Sequence, residues 1–421
     1  MKAYPEYKAS GIDWLGDIPS HWEMSKYKYH ADSRMGITIL KEQMVENGLP
    51  IYSATQDDSI LGYTNNRSLL LHSGDFVIPA RGNSIGYVTK VSFDEATCSQ
   101  TTICSTNFRN ICIDYLLFCC KCFKKDWFFF VDTAIPQITV SQVDNNILPL
   151  PSVAEQEAIA AYLDEQTGRI DALIEQKQKQ VEDIKAYRTS LITETVTRGL
   201  NPDAPLRPSG IDWLGDIPEH WITSKLKYIG EARNGLTYSP DDICEQGKGV
   251  LVLRSSNIQN EQLCLEDNVY VSKKVDELMM NEGDILICSR NGSASLVGKC
   301  AIIPKGINAS FGAFMMRYRS IINKRYTLYL VRTTLAQHKA QFATSTINQL
   351  TNAMIGNMQV AVPPLAEQQA IADFLDAKTA KIDELIGELT KQIDELTEYK
   401  QAVITEAVTG KVDVRDYKPS N

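Results

Sequence analysis

Long apolar runs are missing from the sequence. Within its 421 residues no stretch approaches the roughly 20 apolar residues that cross a bilayer. The first six residues also lack the apolar core of a secretory signal. The ten cysteines show no spacing typical of a disulfide framework, and the CxxC of Cys119 and Cys122 lies in an apolar run that favours packing over metal or redox chemistry. These absences predict a cytoplasmic protein.

Motifs of enzymes that act on nucleic acids are missing as well. The adenine-methyltransferase tetrapeptide, Asn/Asp-Pro-Pro-aromatic, does not occur, and no Asp/Glu set has the spacing of a nuclease motif. The glycine–lysine pairs lack the Ser/Thr of a phosphate-binding loop. The five histidines form no ligand cluster, and His21 and His220 lie beside tryptophans, which favours packing or hydrogen bonding. The sequence therefore predicts no catalytic residue, no metal site and no cofactor in this chain.

Excess positive charge, which DNA-binding domains usually carry, is also missing. The net charge is −9, and the two segments interpreted below as helices carry −3 and −5 of it. A DNA contact depends on the local field within about 10 Å and not on the total charge. The remaining parts of the chain can therefore still present a weakly basic face, with modest non-specific affinity for DNA.

The dominant feature of the sequence is an internal repeat. Residues 10–22 read SGIDWLGDIPSHW, and residues 209–221 read SGIDWLGDIPEHW. A second pair of matching blocks begins at Ala154-Glu155-Gln156 and at Ala366-Glu367-Gln368. Between the matching blocks the two copies differ in sequence and by 13 residues in length. Each half therefore has a constant entry, a variable middle and a constant exit, and duplication alone does not explain why only the middles diverge.

The exit blocks predict two long amphipathic helices, at 152–198 and 364–411. Their apolar residues recur at spacings of three and four, which is typical of a coiled coil. The apolar positions include Leu163, Ile170, Leu375 and Ile382. If a pseudo-two-fold axis relates the copies, the helices run antiparallel and hold two globular parts apart. The alternative is a generic dimerisation coiled coil.

The middles predict two mixed α/β domains, at 1–151 and 209–363, with a linker at 199–208 and a tail at 412–421. In each, a Gly-Asp turn enters a buried strand that is followed by an arginine and a Gly/Ser/Asn loop. Apolar stretches near 113–130 and 326–342 predict helices. The fold class is therefore two tandem α/β (mixed α+β) domains separated by two long antiparallel coiled-coil helices with pseudo-two-fold symmetry.

The loops of both middles carry side chains suited to DNA. Arginine can donate two hydrogen bonds to guanine, Asn and Gln can pair with adenine, and Ser, Thr and Lys favour phosphates. Such a loop is often only a surface turn, but its recurrence at matching positions supports DNA contact. The candidates are Arg81, Asn83, Ser84, Gln137 and Thr139 in the first domain, and Arg290, Asn291, Ser293, Lys299, Gln349 and Thr351 in the second.

The repeated blocks resemble those of specificity subunits of type I restriction–modification systems. The resemblance is carried by Trp14-Leu15-Gly16-x-Ile18-Pro19-x-x-Trp22 and its second copy, by both Ala-Glu-Gln exits, and by the ending Thr405-Glu406-Ala407-Val408-Thr409-Gly410-Lys411. It implies two target-recognition domains, each binding one half of a bipartite site in double-stranded DNA. It also implies helices that set the spacer and recruit two modification (adenine methyltransferase) subunits, to which restriction subunits can be added.

The resemblance further implies a non-catalytic subunit, with S-adenosylmethionine, Mg and ATP on its partners. Helix residues expected to serve as spacer and partner contacts are Glu155, Gln156, Leu163, Ile170, Glu367, Gln368, Leu375 and Ile382. Two alternatives stay open: a self-sufficient DNA methyltransferase or endonuclease with unrecognised motifs, and a coiled-coil scaffold that does not contact DNA.

Overall fold

A computed structural model describes residues 2–55, 58–127, 137–342 and 348–418. The chain divides into two compact units. Unit 1 comprises Met1–Lys179 and Leu389–Asn421, and unit 2 comprises Gln180–Glu388. Each long helix therefore contributes one part to each unit. Among the described residues, none of the helices has the length and apolarity of a transmembrane span.

Unit 1 contains two four-stranded sheets and short helices. The strands are β1 (Tyr7–Ala9), β2 (Asp17–Pro19), β3 (Glu23–Lys26), β4 (Asp32–Met35), β5 (Met44–Val45), β6 (Leu49–Tyr52), β7 (Ile60–Thr64), β8 (Phe76–Pro79), β9 (Thr89–Lys90), β10 (Thr97–Cys98), β11 (Thr102–Thr106) and β12 (Ile147–Leu150). The helices are α1 (Ile113–Cys122), α2 (Lys124–Trp127), α3 (Val140–Asn145) and the first part of α4 (Val153–Arg198), with 3₁₀ turns at Tyr27–Tyr29 and Lys41–Gln43. The sheet orders are β10-β6-β7-β5 and β4-β11-β8-β9, with smaller pairs β1-β2 and β3-β12.

Unit 2 repeats this arrangement. Its strands are β13 (Leu206–Pro208), β14 (Asp216–Pro218), β15 (Ile222–Lys225), β16 (Gly230–Asn234), β17 (Ile243–Cys244), β18 (Val250–Leu253), β19 (Ile258–Gln259), β20 (Gln262–Leu263), β21 (Tyr270–Val271), β22 (Ile285–Cys288), β23 (Arg290–Asn291), β24 (Cys300–Ile302), β25 (Ala309–Phe311), β26 (Met315–Ser320), β27 (Asn348–Gln349) and β28 (Gln359–Val362). The helices are the last part of α4, α5 (Leu226–Ile229), α6 (Lys324–Gln337), α7 (Asn352–Asn357) and the first part of α8 (Leu365–Val408), with 3₁₀ turns at Pro240–Asp242, Ser255–Asn257, Asp276–Leu278, Ala294–Leu296 and Lys339–Phe342.

The sheets of unit 2 match those of unit 1 strand for strand. The order β16-β26-β22-β24 corresponds to β4-β11-β8-β9, and β17-β21-β18-β25 corresponds to β5-β7-β6-β10. In both units one four-stranded sheet contains a parallel pair of strands. The pair is β10 with β6 in unit 1 and β25 with β18 in unit 2. The predicted buried strands are confirmed, because every residue of β8 and β22 is buried. The mixed α/β fold class is likewise confirmed.

The predicted helices after the sheets are found as α1 with α2, and as α6. Residues 128–130 of the first predicted stretch lie outside the described residues. Apolar side chains of α1 and α6, several of them aromatic, fill the core between the sheet and the long helix of their own unit. The repeated tryptophans, Trp22 and Trp221, are almost completely buried in these cores.

The two long helices are confirmed and pack against each other within each unit. In unit 1, Lys400 Nζ lies 2.6 Å from Asp171 Oδ2, and Lys177 Nζ donates to Gln392 Oε1 at 2.6 Å. The residue numbers of the partners on α8 decrease as those on α4 increase, so the two helices are antiparallel there. In unit 2, Arg188 Nε lies 2.9 Å from Asp383 Oδ1. Arg188 and Asp383 are the repeat equivalents of Lys400 and Asp171, so each unit has the same helix–helix ion pair.

A buried carboxylate joins the first turn of α4 to the repeated entry block. Glu155 is 4% exposed, and its carboxylate accepts hydrogen bonds from Tyr4 Oη at 2.6 Å and from Trp22 Nε1 at 3.0 Å. His21 Nε2 lies 3.0 Å from the same carboxylate. Burial, together with this hydrogen bond, raises the pKa of the Tyr4 hydroxyl well above its usual range, so the hydroxyl keeps its proton and remains a donor. We call this arrangement the carboxylate anchor of unit 1.

Unit 2 has the equivalent carboxylate anchor at the start of α8. Glu367 accepts from Trp221 Nε1 at 2.8 Å and lies 2.5 Å from His220 Nε2. Its side chain is 40% exposed, ten times the exposed fraction of Glu155. A negative charge in the first turn of a helix also interacts favourably with the helix dipole.

The neighbouring glutamines bind the backbone in the same way in both units. Gln156 Oε1 accepts from the backbone N–H of Cys112 at 2.8 Å, and Gln156 Nε2 donates to the carbonyl of Pro151 at 2.9 Å. Gln368 makes the equivalent bonds to Asn323 and Pro363, at 3.1 Å and 2.8 Å. The repeated Glu-Gln dipeptide therefore holds each long helix to its own α/β domain.

Replacing the two anchor carboxylates should have unequal effects. Glu155→Ala leaves three donors facing a buried gap, and we expect a loss of roughly 3 kcal/mol of stability in unit 1. Glu367→Ala should cost roughly 1 kcal/mol in unit 2, because water can reach the unpaired donors. Peptide-resolved hydrogen exchange measures each unit separately. Glu157→Ala, an exposed change on the same turn of α4, is the matched control; equal losses for Glu155→Ala and Glu157→Ala would contradict the anchor.

Candidate nucleic-acid interface

The structure brings together the arginine and glutamine that the sequence singled out separately. Arg81 and Gln137 are antiparallel bridge partners in unit 1. Arg290 and Gln349 are the corresponding partners in unit 2, where β23 pairs with β27. Directly opposed residues on adjacent strands project to the same face with Cβ atoms about 5 Å apart. Both units thus present one arginine beside one glutamine at the same place in the fold.

Backbone hydrogen bonds and buried apolar side chains hold these arginine–glutamine pairs in position. The N–H of Ile138 donates to the carbonyl of Ala80 at 2.9 Å, and the N–H of Leu350 donates to Ser289 at 2.7 Å. Ile138 and Leu350 are buried, so each short strand is fixed by its apolar residue while the glutamine beside it stays exposed. Each arginine lies two residues after the end of a buried inner strand, β8 or β22.

Thr139 and Thr351 begin the helices that follow the glutamines. Thr139 Oγ1 accepts from the backbone N–H of Gln142 at 3.2 Å, and Thr351 Oγ1 accepts from Met354 at 3.2 Å. Both are therefore N-caps of α3 and α7, which contribute to helix stability. Their predicted contact with DNA stays a prediction.

Other candidates are already engaged within the protein. Ser84 is buried, and its Oγ donates to the carbonyl of Ala54 at 2.9 Å. Lys299 Nζ donates to the carbonyl of Ile258 at 2.9 Å, and Ser293 Oγ lies 2.7 Å from Ser295 Oγ. Asn291 Nδ2 donates to Ser255 Oγ at 3.2 Å. Asn83 is exposed on the loop after Arg81. The contact of these residues with DNA stays a prediction.

The predicted partner residues of the helices lie mostly inside the chain. The glutamates form the carboxylate anchors, and the glutamines bind the backbone as described above. Leu163, Ile170 and Leu375 are buried, and Ile382 is half-buried. Exposed positions that recur in both copies were not predicted as partner contacts. They include Leu173 with Tyr399 in unit 1, and Leu385 with Tyr187 in unit 2. The repeat could have revealed them, because Leu173 matches Leu385 and Tyr187 matches Tyr399 at one offset.

We call Leu173 and Tyr399 the helix patch of unit 1, and Tyr187 and Leu385 the helix patch of unit 2. In each unit one residue comes from α4 and the other from α8. Within the described part of the chain, no group of three or more His, Cys, Asp or Glu side chains is arranged to hold a metal ion.

A family model described as the type I restriction modification DNA specificity domain matches residues 19–183 and 218–395. The specificity subunit of the type I restriction enzyme EcoKI of Escherichia coli K12 is 29% identical over 217 residues, which are 49% of this chain and 47% of that protein. The StySPI specificity subunit of Salmonella potsdam is 29% identical over 204 residues, or 47% of this chain and 44% of that protein. The alignments thus span less than half the length of these two relatives.

Longer matches have lower identity. The putative MjaX specificity subunit of Methanocaldococcus jannaschii is 24% identical over 432 residues, covering 95% of this chain and 96% of that protein. A solved chain from work on complex assembly and conformational transition of the type I R-M system superposes with a TM-score of 0.73 at 16% identity, covering 94% of this chain and 99% of that one. This structural likeness shows a shared fold.

A substitution of Ser84 distinguishes a structural role of its hydroxyl group from contact with DNA bases. Because its hydroxyl is buried and bonded to a backbone carbonyl, Ser84→Ala should lower the free energy of unfolding by about 1 kcal/mol. The preferred DNA sequence of the assembled complex should not change. Urea denaturation and selection from a randomised DNA library measure the two effects. A change in base preference without loss of stability would show that Ser84 contacts DNA instead.

Proposed function

The chain belongs to the family of type I restriction–modification DNA specificity domains, and we propose that it is the DNA-reading, non-catalytic subunit of a type I restriction–modification complex. Each α/β domain would bind one half of a bipartite site in double-stranded DNA. S-adenosylmethionine, Mg and ATP would be bound by partner subunits. The proposal places the complex in the cytoplasm, and a role of the long helices in setting the spacer between half-sites stays a prediction.

The observation that carries this proposal is the recurrence of the arginine–glutamine pair. Arg81 with Gln137 and Arg290 with Gln349 are antiparallel bridge partners at equivalent positions of two units whose loops otherwise differ. A guanidinium can donate two parallel hydrogen bonds to guanine, and a carboxamide can pair with adenine. Side chains about 5 Å apart can reach neighbouring bases, which lie about 3.4 Å apart along a strand. Two such pairs fit two half-sites.

The helix patches support binding of the same partner twice. Leu and Tyr are exposed at equivalent positions of both units, where a helix of a free monomer would place polar residues. Tyrosine is enriched at protein interfaces because it buries a large apolar ring and keeps a polar hydroxyl. We propose that each helix patch contacts one modification subunit, which gives two modification subunits per chain. Restriction subunits would join this assembly.

Exchange of one domain tests the two-reader proposal. Replacing residues 209–363 with the equivalent domain of a relative should change one half of the methylated sequence and leave the other half as it was. Co-expression with the modification subunit followed by methylome sequencing provides the readout. Changes in both halves, or in neither, would overturn the proposal. Turnover by the purified chain alone, with S-adenosylmethionine and Mg, would favour a self-sufficient enzyme.

Changes in one helix patch should remove one modification subunit. Leu173→Glu with Tyr399→Glu should reduce the stoichiometry from two modification subunits to one, because buried carboxylates at the contact would be unpaired. Tyr187→Glu with Leu385→Glu should do the same, and all four changes together should abolish assembly. Native mass spectrometry measures the composition. Lys391→Glu, an exposed change on α8, is the control; an unchanged stoichiometry in both double variants would place the contact elsewhere.

A further inference from the structure

A cleft of about 580 Å³ opens beside the arginine–glutamine pair of unit 2. Its polar side chains include Arg254, Ser255, Arg290 and Asn291, and its walls include Tyr238 and Phe314. Phe314 is 61% exposed, which is unusual for a large apolar side chain unless it serves a contact. The cleft therefore combines two guanidinium groups with aromatic surface, within one unit.

Phe314 holds both the backbone and the side chain of Arg290. The N–H of Arg290 donates to the carbonyl of Phe314 at 3.1 Å. The guanidinium carbon of Arg290 lies 5.5 Å from the centroid of the Phe314 ring, within the range of a cation–π contact. A guanidinium that stacks with its face on an aromatic ring keeps its edge, with the N–H donors, available to an acceptor.

Three neighbouring polar side chains of the cleft have partners within the protein. Arg254 donates to Asp267 Oδ2 at 2.7 Å, and Asn291 donates to Ser255. In contrast, no side-chain hydrogen bond or ion pair of Arg290 occurs among the described residues. Arg290 is thus a half-buried cation with an orientation fixed by Phe314 and with donors that await an external acceptor.

Unit 1 has different side chains at the corresponding positions. The N–H of Ala80 donates to Thr101 as the N–H of Ser289 donates to Phe314, so Thr101 takes the place of Phe314. Around it lies a set of hydroxyl groups, with Ser99 Oγ 2.7 Å from Thr101 Oγ1 and Ser53 Oγ 3.0 Å from Ser99 Oγ. The same backbone frame therefore carries an aromatic ring at this position in unit 2 and a threonine hydroxyl in unit 1.

Two kinds of acceptor on DNA match the parallel donors of a guanidinium: the O6 and N7 of guanine, and two phosphate oxygens. The neighbouring Gln349 favours the base, because a carboxamide beside the guanidinium adds a group suited to a base edge. We propose that Arg290, positioned by Phe314, forms a subsite of unit 2 that binds the O6 and N7 edge of one guanine in duplex DNA. This inference rests on the proposed function, and it deepens that function by naming the base.

The experiment uses the chain assembled with its modification subunits and the DNA site identified by methylome sequencing. Each guanine in the half-site of unit 2 is replaced in turn by 7-deazaguanine, which pairs normally but lacks N7. We expect one position at which this replacement weakens binding, by roughly 5- to 150-fold if a bidentate contact is lost. In the Arg290→Ala complex, normal DNA should bind more weakly, and the replacement should have no further effect.

Variants of Phe314 and Arg290 separate the positioning of the guanidinium group from its charge. Phe314→Ala should reduce the difference between guanine and 7-deazaguanine, and Phe314→Tyr, which keeps a ring face, should restore it. Arg290→Lys keeps the charge but not the planar fork, so it should lose the discrimination and retain the salt dependence of binding. Lys274→Ala removes an exposed charge of unit 2 outside the cleft and should change none of these results. Thermal unfolding checks that each variant is folded.

Several outcomes would overturn the subsite. A half-site of unit 2 without guanine would do so, as would sensitivity to 7-deazaguanine that persists in Arg290→Ala. Uniformly weaker binding of all sequences by Arg290→Ala, with a shallower salt dependence, would assign Arg290 to a phosphate instead. In each of these cases the complex still recognises its site, so the proposed function stands. Failure of the wild-type complex to bind any DNA sequence specifically would overturn the proposed function and the subsite together.

Discussion

The carboxylate in the first turn of each long helix is the contact on which the rest of each unit depends. Glu155 receives donors from Tyr4 and Trp22, which lie far from it in sequence, and so fixes α4 to the entry block at one point. A buried carboxylate is stable only when its lone pairs are satisfied, so the donors and the helix start must keep their relative positions. Glu367 joins α8 to Trp221 by the equivalent hydrogen bond, but its carboxylate is 40% exposed, so water can satisfy part of it. The entry and exit blocks are alike in both copies because each supplies half of this contact.

Because the backbone is held in the same way in both units, the exposed side chains that it carries can differ between them. The arginine of each unit is placed by the backbone of a buried strand, and the glutamine by a short strand with a buried apolar residue. These contacts use backbone atoms and apolar packing, so exposed neighbours can change without moving the frame. Thr101 in unit 1 and Phe314 in unit 2 illustrate this, since both accept the same backbone hydrogen bond. Divergence of the middles therefore changes the chemistry of the surface more than its geometry.

The sequence predicted the elements better than the contacts between them. Periodicity predicted α4 and α8, and Gly-Asp turns predicted β8 and β22, because such signals are local. The arginines and glutamines were identified as separate candidates, but their pairing depends on strands that are distant in the chain. The burial of Ser84, and the use of Glu155 and Gln156 as internal anchors, could not be foreseen from composition. In each case the side chain has a partner within the protein that only the tertiary fold brings near.

The charge distribution determines how much of DNA binding such a chain can supply. Most of the net charge of −9 lies on the two long helices, where Asp171 and Asp383 are paired with basic residues of the opposite helix. Under the proposed function, each α/β domain would contribute one arginine beside one neutral glutamine, a pair that would release few counterions on binding. Non-specific affinity should therefore be low, and discrimination should come from directed hydrogen bonds. If the chain reads DNA as proposed, sufficient affinity would require positive charge from other subunits, which would tie sequence recognition to assembly into a complex.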